Sequence, residues 1–317
     1  MPQWIPMLPA AYLGWGLGSN DAANVFGPNV AAGAITYRRA ATLAAIFVML
    51  GAMLEGDKCF DTVGKTVSLD ATSAMVAMLV AAVVVNVMTL LRIPVSTSQA
   101  ILGAVVGIGI CLGQSLDYGS LGKIVVCWVL TPVGSAVVAV VLLKTLQAIF
   151  RRLVHNLYTF NRIVRWGATL TACYAAYNLG ANNVANVTGT AVGAGVLDPW
   201  PAAALGGLFI AVGMLTYGRR VTETVGKGIA QLDPFSAWVV ILSQAVALHV
   251  YTQLAVPVSS SQAVVGAVAG IGWCRSETAV NRRTLFHIGA GWLGTVVISV
   301  ALAYGAQWLI LAGAQRF

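Results

Sequence analysis

The chain has 317 residues, of which 58% are hydrophobic and 9% are charged, and its formal net charge is +8. A soluble domain carries about 25% charged residues, so this composition excludes an ordinary soluble protein and indicates a polytopic membrane protein. The basic residues are spread over the segments between apolar runs, which favours membrane topology over nucleic-acid binding as the cause of the positive excess.

Each half of the chain contains five apolar segments, and we expect each to be a helix that enters or crosses the membrane. In the first half they cover about 4–36, 38–56, 71–91, 94–114 and 120–147, and in the second half about 166–197, 201–218, 234–254, 257–274 and 284–312. A spanning helix needs about 20 predominantly apolar residues, which several of these runs approach or reach. The predicted fold class is therefore an all-α polytopic membrane protein.

A polar cluster lies inside the first apolar segment, between Gly18 and Gly27. It contains Asn20, Asp21 and Asn24 among alanines and valine. A carboxylate at mid-membrane depth costs about 3 kcal/mol, and each amide without a partner costs a further ~1–3 kcal/mol. Such a cluster persists if it binds a ligand or pairs internally. It predicts an interrupted helix with a binding site, and a polar contact between helices is the alternative.

The chain is an internal duplication. Residues 17–33 align with 179–195 at an offset of 162, and ten of those seventeen positions are identical. A second motif, Pro-Val-Ser-Thr-Ser-Gln-Ala, begins at Pro94 and returns as Pro-Val-Ser-Ser-Ser-Gln-Ala at Pro257, with twelve of sixteen positions identical. We therefore divide the chain into a first repeat at 1–150, a basic linker at 151–165 and a second repeat at 166–317.

An odd number of crossings per repeat predicts that the second repeat enters the membrane upside down relative to the first. With the N-terminus outside, fourteen of the eighteen Lys and Arg residues fall on the cytoplasmic side with the linker, which fits the positive-inside rule. Only Lys58, Lys65, Lys123 and Arg316 remain outside. We predict that both termini are outside and that the protein lies in the plasma (cytoplasmic) membrane.

The Pro-Val-Ser motifs each predict the start of a helix inside the membrane. Proline at a helix start costs no hydrogen bond, and the following hydroxyl residues can cap the exposed amides. The unpaired N–H groups and the dipole of such a helix end also favour an anion. Simple capping is the alternative, but the recurrence in both repeats favours a binding site.

Other polar residues carry less information. The five cysteines are expected to be lone buried thiols, and no two of the three histidines have the spacing of metal ligands. Glu55, Asp57, Lys58 and Asp61 are expected to form a solvated ion-pair cluster in preference to a functional site.

Together, the two duplicated motifs resemble the inorganic phosphate transporter (PiT) family. The matching residues are Gly18-Ser19-Asn20-Asp21-Ala22-Ala23-Asn24-x-x-Gly27, the partner Gly180-Ala181-Asn182-Asn183-Val184-Ala185-Asn186-x-x-Gly189, and both Pro-Val-Ser-x-Ser-Gln-Ala motifs. The resemblance covers both halves and nearly the whole membrane core. It implies two inverted-topology repeats with broken or re-entrant helices at the centre, and cation-coupled transport of phosphate or, in some members, sulfate.

The resemblance also assigns expected roles to residues. It implies a cation site formed by Asn20, Asp21, Asn182 and Asn183, with Na+ at Asp21, Asn20 and Asn182. It implies an anion site formed by Asn24, Asn186, Ser96, Thr97, Ser98, Gln99, Ser259, Ser260, Ser261 and Gln262. Asp61-Thr62 and Glu223-Thr224 match the acidic-Thr pair of the family. The family usually carries Asp where this chain has Asn183, so one negative charge is missing here.

Three classes of function remain to be weighed. A secondary transporter explains the duplication, the polar breaks and the paired hydroxyl-rich helix starts. A channel would show a continuous polar stripe or rings of one charge, and an enzyme would need a nucleophile with a base or a set of metal ligands. We therefore expect symport of phosphate, with sulfate as the alternative and an anion channel third. The expected partners are the oxyanion, Na+ or H+ as the coupling cation, and the bilayer; no other cofactor and no nucleic acid is expected, and a homo-oligomer is left open.

Overall fold

The first repeat consists of helices separated by short connections. In the computed structural model, residues 7–64, 66–90, 95–225, 232–274 and 282–314 are described. The helices of the first repeat are α1 (Met7–Ala31), α2 (Tyr37–Glu55), a 3-10 turn (Gly56–Cys59), α3 (Phe60–Gly64), α4 (Ala71–Leu90), α5 (Thr97–Cys111) and α6 (Tyr118–Leu153).

The second repeat has the same order of long and short helices. These are α7 (Leu157–Gly193), α8 (Pro199–Thr216), α9 (Gly218–Val225), α10 (Pro234–Gln253), α11 (Ser260–Cys274) and α12 (Arg282–Ala314). The described ranges contain helices and connections but no strand, as predicted. The expected linker at 151–165 comprises the last turn of α6, three connecting residues and the first turns of α7. The division into repeats and linker stays a prediction.

Six helical stretches in the described ranges are long and apolar enough to cross a membrane, so the protein is a multi-pass membrane protein. They are Tyr37–Gly64, Ala71–Leu90, Tyr118–Leu153, Pro199–Thr216, Pro234–Gln253 and Ile288–Gly313. α5 and α11 have 15 residues each, which is about 22 Å of helix against a hydrocarbon core of about 30 Å. These two helices therefore begin within the protein, as the Pro-Val-Ser motifs predicted.

The expectation that the Asn-rich clusters break their helices is wrong. α1 and α7 are continuous through the clusters. The cluster side chains hydrogen-bond at a spacing of three residues, which a helix accommodates, and the flanking glycines serve helix packing instead. Pro28 lies inside α1 and has no backbone N–H to donate to the carbonyl of Asn24. The helix hydrogen bond that is missing because of this proline is therefore the one to Asn24, a residue of the cluster.

Each repeat packs its first helix against the second helix of the other repeat. A side chain at Gly18 of α1 would collide with the carbonyl oxygen of Ile210 in α8, and one at Gly180 of α7 would collide with the carbonyl oxygen of Val48 in α2. Glycine is therefore required at both places for the helix backbones to touch. Small residues of α5 and α11 behave in the same way, because Gly107 packs on the backbone of α12 and Gly266 packs on the backbone of α6.

The first helices of the two repeats run in opposite directions. α1 and α2 are joined by residues 32–36, a short connection of the kind that joins antiparallel helices. α7 packs parallel to α2, because Arg39 near the start of α2 lies over the ring of Trp166 in α7, and further along both helices the backbone of Gly51 lies against that of Tyr177. α7 is therefore antiparallel to α1, as inverted repeats require.

The cysteines differ in part from the expectation. All five are free, but Cys274 is exposed and Cys111 is half-buried, because both lie in the last turns of the short helices α11 and α5. One ion pair of the expected cluster is present, between Lys58 and Glu55 at 2.9 Å, and Lys58 also donates to Gln253.

Candidate functional site

The polar clusters of α1 and α7 face the start of the short helices in the interior of the protein. Of the fourteen residues predicted for the site, thirteen are buried and Asn20 is half-buried. The cluster of α1 lies just past the middle of that helix and the cluster of α7 lies in its last third, and each follows a glycine that packs its helix on α8 or α2. The fold therefore brings together the motifs that the sequence singled out.

Asp21 is hydrogen-bonded across the two repeats. Ser260 Oγ, in the first residue of α11, donates to Asp21 Oδ2 at 2.7 Å. Asn24 Nδ2 donates to Asp21 Oδ1 at 3.1 Å and contacts Ser260 Oγ at 3.1 Å. Among the described residues, no basic side chain forms an ion pair with Asp21 of the kind that joins Lys58 to Glu55. Hydroxyl and amide donors thus surround the carboxylate, and none of the described residues supplies a positive charge to neutralise it.

The corresponding contact in the other repeat is absent among the described residues. Asn186 Nδ2 donates to Asn183 Oδ1 at 2.9 Å, just as Asn24 donates to Asp21. Thr97 occupies the position that corresponds to Ser260, yet its buried hydroxyl and the buried Nδ2 of Asn183 have no hydrogen-bond partner there. This chain has Asn at 183, where the first repeat has Asp21. The hydroxyl of Thr97 and the Nδ2 of Asn183 are therefore two unpaired donors at the place where the first cluster has a closed network.

Unpaired acceptors also occur in the buried site. Within the described ranges, Gln99 Oε1, Gln262 Oε1 and Asn186 Oδ1 are buried without a hydrogen-bond partner. A buried polar atom that lacks a partner costs about 1–3 kcal/mol. Acceptors and donors left open in one interior region are what a polar ligand with both kinds of group would satisfy.

The hydroxyls at the two helix starts hold the same local structure. Ser96 Oγ lies 3.1 Å from Ser98 Oγ and accepts from the backbone N–H of Gln99 at 3.4 Å. Ser259 and Ser261 lie 2.8 Å apart, and Ser259 accepts from the N–H of Gln262 at 3.4 Å. The first serine of each motif therefore caps its helix, which supports the capping interpretation for Ser96 and Ser259. Thr97 Oγ1, Gln99 Oε1 and Gln262 Oε1 have no hydrogen-bond partner among the described residues and so remain available to a ligand.

Asn182 fixes the interruption between α10 and α11. Its Nδ2 donates to Val256 O at 3.0 Å and to Thr252 Oγ1 at 3.1 Å, and its Oδ1 accepts from Val258 N at 2.9 Å. Ala255, in the same connection, has a φ of 57°, a left-handed conformation that a residue with a side chain adopts at a cost. Asn182 thus supports the shape of the site, and its predicted cation contact would use its remaining lone pair.

Thr62 contacts the same connection. Its hydroxyl donates to the carbonyl of Ala255, while Lys123 Nζ donates to the carbonyl of Leu254 at 3.0 Å. The threonine of the acidic-Thr pair in the first repeat therefore hydrogen-bonds to the connection between α10 and α11 in the second repeat. The side chains of Glu223 and Thr224 lie outside the described residues, as do Pro94 and the residues before it back to 91.

Two threonines at the ends of α4 and α10 were missed from the sequence. Asn20 Nδ2 donates to Thr89 Oγ1 at 3.0 Å, just as Asn182 donates to Thr252. Each threonine hydroxyl in turn donates to the carbonyl four residues earlier, at 2.7 Å and 3.0 Å. Both stand five residues before the proline of the Pro-Val-Ser motif, so the duplication itself carried the signal.

The predicted site residues therefore form four groups, one of which is the pair of serines at each helix start, Ser96 with Ser98 and Ser259 with Ser261. Asp21, Asn24 and Ser260 are bonded directly across the repeats, Asn20 and Asn182 each bind a threonine of their own repeat, and Asn183, Asn186, Thr97, Gln99 and Gln262 present unpaired atoms. No direct bond joins Asn20 to Asn182 in the described structure. The ligand roles of these residues stay predictions.

Similar proteins match over most of this chain. A protein of Methanocaldococcus jannaschii, named as a candidate phosphate permease, is 27% identical over 300 residues, covering 95% of each chain. The Arabidopsis thaliana protein named inorganic phosphate transporter 2-1, chloroplastic, is 24% identical over 94% of this chain and 70% of its own length. A solved structure titled "The sodium-dependent phosphate transporter" matches with a TM-score of 0.86 and 24% identity, covering 98% of this chain and 99% of that one.

The solved structure supports the fold, and the family follows from the sequence. A sequence model described as the phosphate transporter family matches residues 17–303, which include both polar clusters and both Pro-Val-Ser motifs. The chain therefore belongs to the phosphate transporter family, and it is a membrane transport protein rather than an enzyme.

Proposed function

We propose that the protein is a secondary active transporter that couples the movement of inorganic phosphate to Na+ or H+ by alternating access. The observation that carries the proposal is the contact of Asp21 with Ser260. Asp21 is the only carboxylate in either cluster, and Ser260 belongs to the helix start that would bind the anion. A cation at Asp21 and an anion at the start of α11 would then share one hydroxyl, so binding of either would reorganise the site of the other.

Phosphate is the proposed anion because the buried site offers unpaired acceptors as well as donors. At neutral pH phosphate retains a P–O–H group, whereas sulfate only accepts hydrogen bonds. At least one of the open oxygens of Gln99, Gln262 and Asn186 would have a partner in phosphate, and none of them would have one in sulfate. The names of the family and of the similar proteins support the same choice.

Sulfate is the second candidate, and Asn183 is the observation that favours it. A carboxylate at this position would repel a dianion and accept from P–O–H, whereas the unpaired Nδ2 of Asn183 can donate to either anion. The loss of one carboxylate also removes a place for a cation. It therefore favours sulfate tolerance or a smaller number of coupled cations.

The substrate and the coupling ion are tested with the purified protein in proteoliposomes. Uptake of labelled phosphate and of labelled sulfate is measured with Na+ and H+ gradients imposed separately, for wild type and Asn183→Asp. We expect one gradient to drive phosphate accumulation that excess phosphate blocks and excess sulfate does not. Sulfate uptake that is indifferent to phosphate would overturn the choice of substrate.

We also propose that both termini lie outside the plasma membrane and that the linker lies in the cytoplasm. α6 has 36 residues, about 54 Å of helix, so its two ends lie on opposite sides of the membrane. Gln114 and His155 are exposed next to these ends. In a cysteine-free variant, a cysteine at 114 should react with a membrane-impermeant maleimide on intact cells, and one at 155 should not. The reverse pattern would overturn the orientation.

A further inference from the structure

A basic cavity lies away from the central site, where the start of α2 meets the start of α7. Its volume is about 470 Å³, and its walls include Arg39, Arg162, Arg165, Tyr158 and Trp166. Among the described residues that line it, none is acidic. Three guanidinium groups thus face one space without a counter-charge.

The arginine of α2 is held in place by an aromatic ring. The guanidinium carbon of Arg39 lies 5.4 Å from the centroid of the Trp166 ring, a cation–π contact. Among the described residues, no carboxylate forms an ion pair with the arginines of the cavity. The ion pair that is present joins Lys58 to Glu55, elsewhere in the sequence. The stacked guanidinium keeps its planar N–H donors free for an anion.

The start of α2 adds to the positive potential. Arg39 lies in the first turn of α2, where a cation is opposed by the positive end of the helix dipole. The N-cap residue Thr36 makes no side-chain hydrogen bond to the first-turn amides. An anion bound here would offset the repulsion among the arginines and could accept from uncapped amides.

Two exposed apolar stripes descend from the cavity along the parallel helices α2 and α7. Ile46 and Leu50 follow Arg39 by seven and eleven residues, on the same face of α2, and are 52% and 42% exposed. Leu170 follows Trp166 by one turn on α7 and is 66% exposed. A ligand with an anionic head and apolar tails would match the cavity and the stripes together.

We propose that this cavity binds the phosphate headgroup of an anionic phospholipid, with the acyl chains lying along the exposed faces of α2 and α7. Basic pockets between membrane helices recognise such headgroups, and each Lys or Arg near the membrane surface contributes about 1 kcal/mol. A free phosphate would satisfy the same arginines, whereas a lipid bound through its headgroup would also place its acyl chains on the apolar residues next to the cavity. This site is separate from the central polar clusters.

Binding is tested with the full-length protein in a neutral detergent. Titration calorimetry with dioctanoyl phosphatidylglycerol should give saturable binding, and dioctanoyl phosphatidylcholine should bind at least tenfold more weakly. Arg39→Gln and Arg162→Gln should each weaken phosphatidylglycerol binding by about fivefold. Arg151→Gln is the matched control, since it removes an exposed arginine of α6 outside the cavity and should change binding less than twofold.

Two outcomes would overturn the proposal. One is a failed binding test, either equal binding of the two lipids or unchanged phosphatidylglycerol binding in both cavity variants. The other is a second inorganic phosphate site in wild type that is lost in Arg39→Gln and has the affinity of phosphatidylglycerol, which would show a free-anion site. Circular dichroism and size-exclusion profiles matching wild type establish that the variants are folded, and Arg162→Lys, which keeps the charge, should retain most of the binding.

Discussion

The contact between Ser260 and Asp21 supports a quantitative prediction for the coupling cation. Ser260→Ala removes the hydroxyl that donates to Asp21 Oδ2 at 2.7 Å and that contacts Asn24 Nδ2 at 3.1 Å. A hydrogen bond to a charged group contributes about 1.5–3 kcal/mol. If this bond orients the carboxylate for the cation, its loss should raise the half-saturating cation concentration about 10- to 100-fold.

The assay is initial phosphate uptake into proteoliposomes as a function of the driving cation, at saturating phosphate. Thr97→Ala is the matched control, because Thr97 occupies the corresponding position of the first repeat but has no hydrogen-bond partner among the described residues. In a second titration, of phosphate at saturating cation, Thr97→Ala should change the half-saturating phosphate concentration more than it changes that of the cation. A cation dependence within twofold of wild type in a folded Ser260→Ala protein would refute the reasoning.

Three further predictions concern stability, measured as thermal unfolding in detergent. Gly18→Ala should destabilise the protein by at least about 1–3 kcal/mol, because its Cβ would collide with the backbone of Ile210. Gly294→Ala is the control: its Cβ would meet open space, so the variant should be neutral or slightly stabilised. Equal effects of the two substitutions would contradict the described packing of α1 on α8. Thr252→Val should cost about 0.5–1.5 kcal/mol by removing the acceptor of the amide of Asn182, and no loss would show that this bond is unimportant. Hydrogen bonds from the hydroxyl and N–H of Ser120 lower the pKa of Asp117, so its contribution is present above the unfolded value of about 3.9 and is lost as pH falls through the lowered pKa. The difference in unfolding temperature between wild type and Asp117→Ala should therefore be constant above about pH 5 and shrink as pH falls below about 4, and a difference that does not change at low pH would contradict this.

The duplication made most of the architecture predictable. The offsets of 162 and 163 residues pair Asp21 with Asn183 and Ser260 with Thr97 directly along the chain. Glycines recur at equivalent positions, such as Gly18 and Gly180, but the sequence does not say against which helix each of them packs. That pairing depends on tertiary packing between repeats, which local periodicity does not encode.

The continuity of α1 and α7 could not be inferred from composition. Polar residues and glycines inside an apolar run favour a break when the helix is considered alone, and packing against α8 and α2 reverses that preference. The function of Asn182 in holding the α10–α11 connection was missed for a related reason. Its partners Val256 and Val258 contribute backbone atoms, which carry no sequence signal.

The asymmetry of the two clusters was visible in part. Asn183 in place of Asp indicates one missing charge, but the unpaired atoms of Asn183 and Thr97 result from how the helices pack in three dimensions. Of the predicted ligands, the residues bonded across the repeats are the ones whose exchange should affect coupling most directly. Those with unpaired atoms should affect affinity for the anion.

The most direct test of the account is phosphate accumulation against its own gradient in Asp21→Asn proteoliposomes. Asp198→Asn is the control, since Asp198 is exposed at the start of α8 and makes no side-chain cap bond. We expect wild type and Asp198→Asn to accumulate labelled phosphate when the driving cation gradient is imposed, and Asp21→Asn to show none while remaining folded. Undiminished cation-driven accumulation in Asp21→Asn would contradict the claim that this carboxylate couples the cation to the anion.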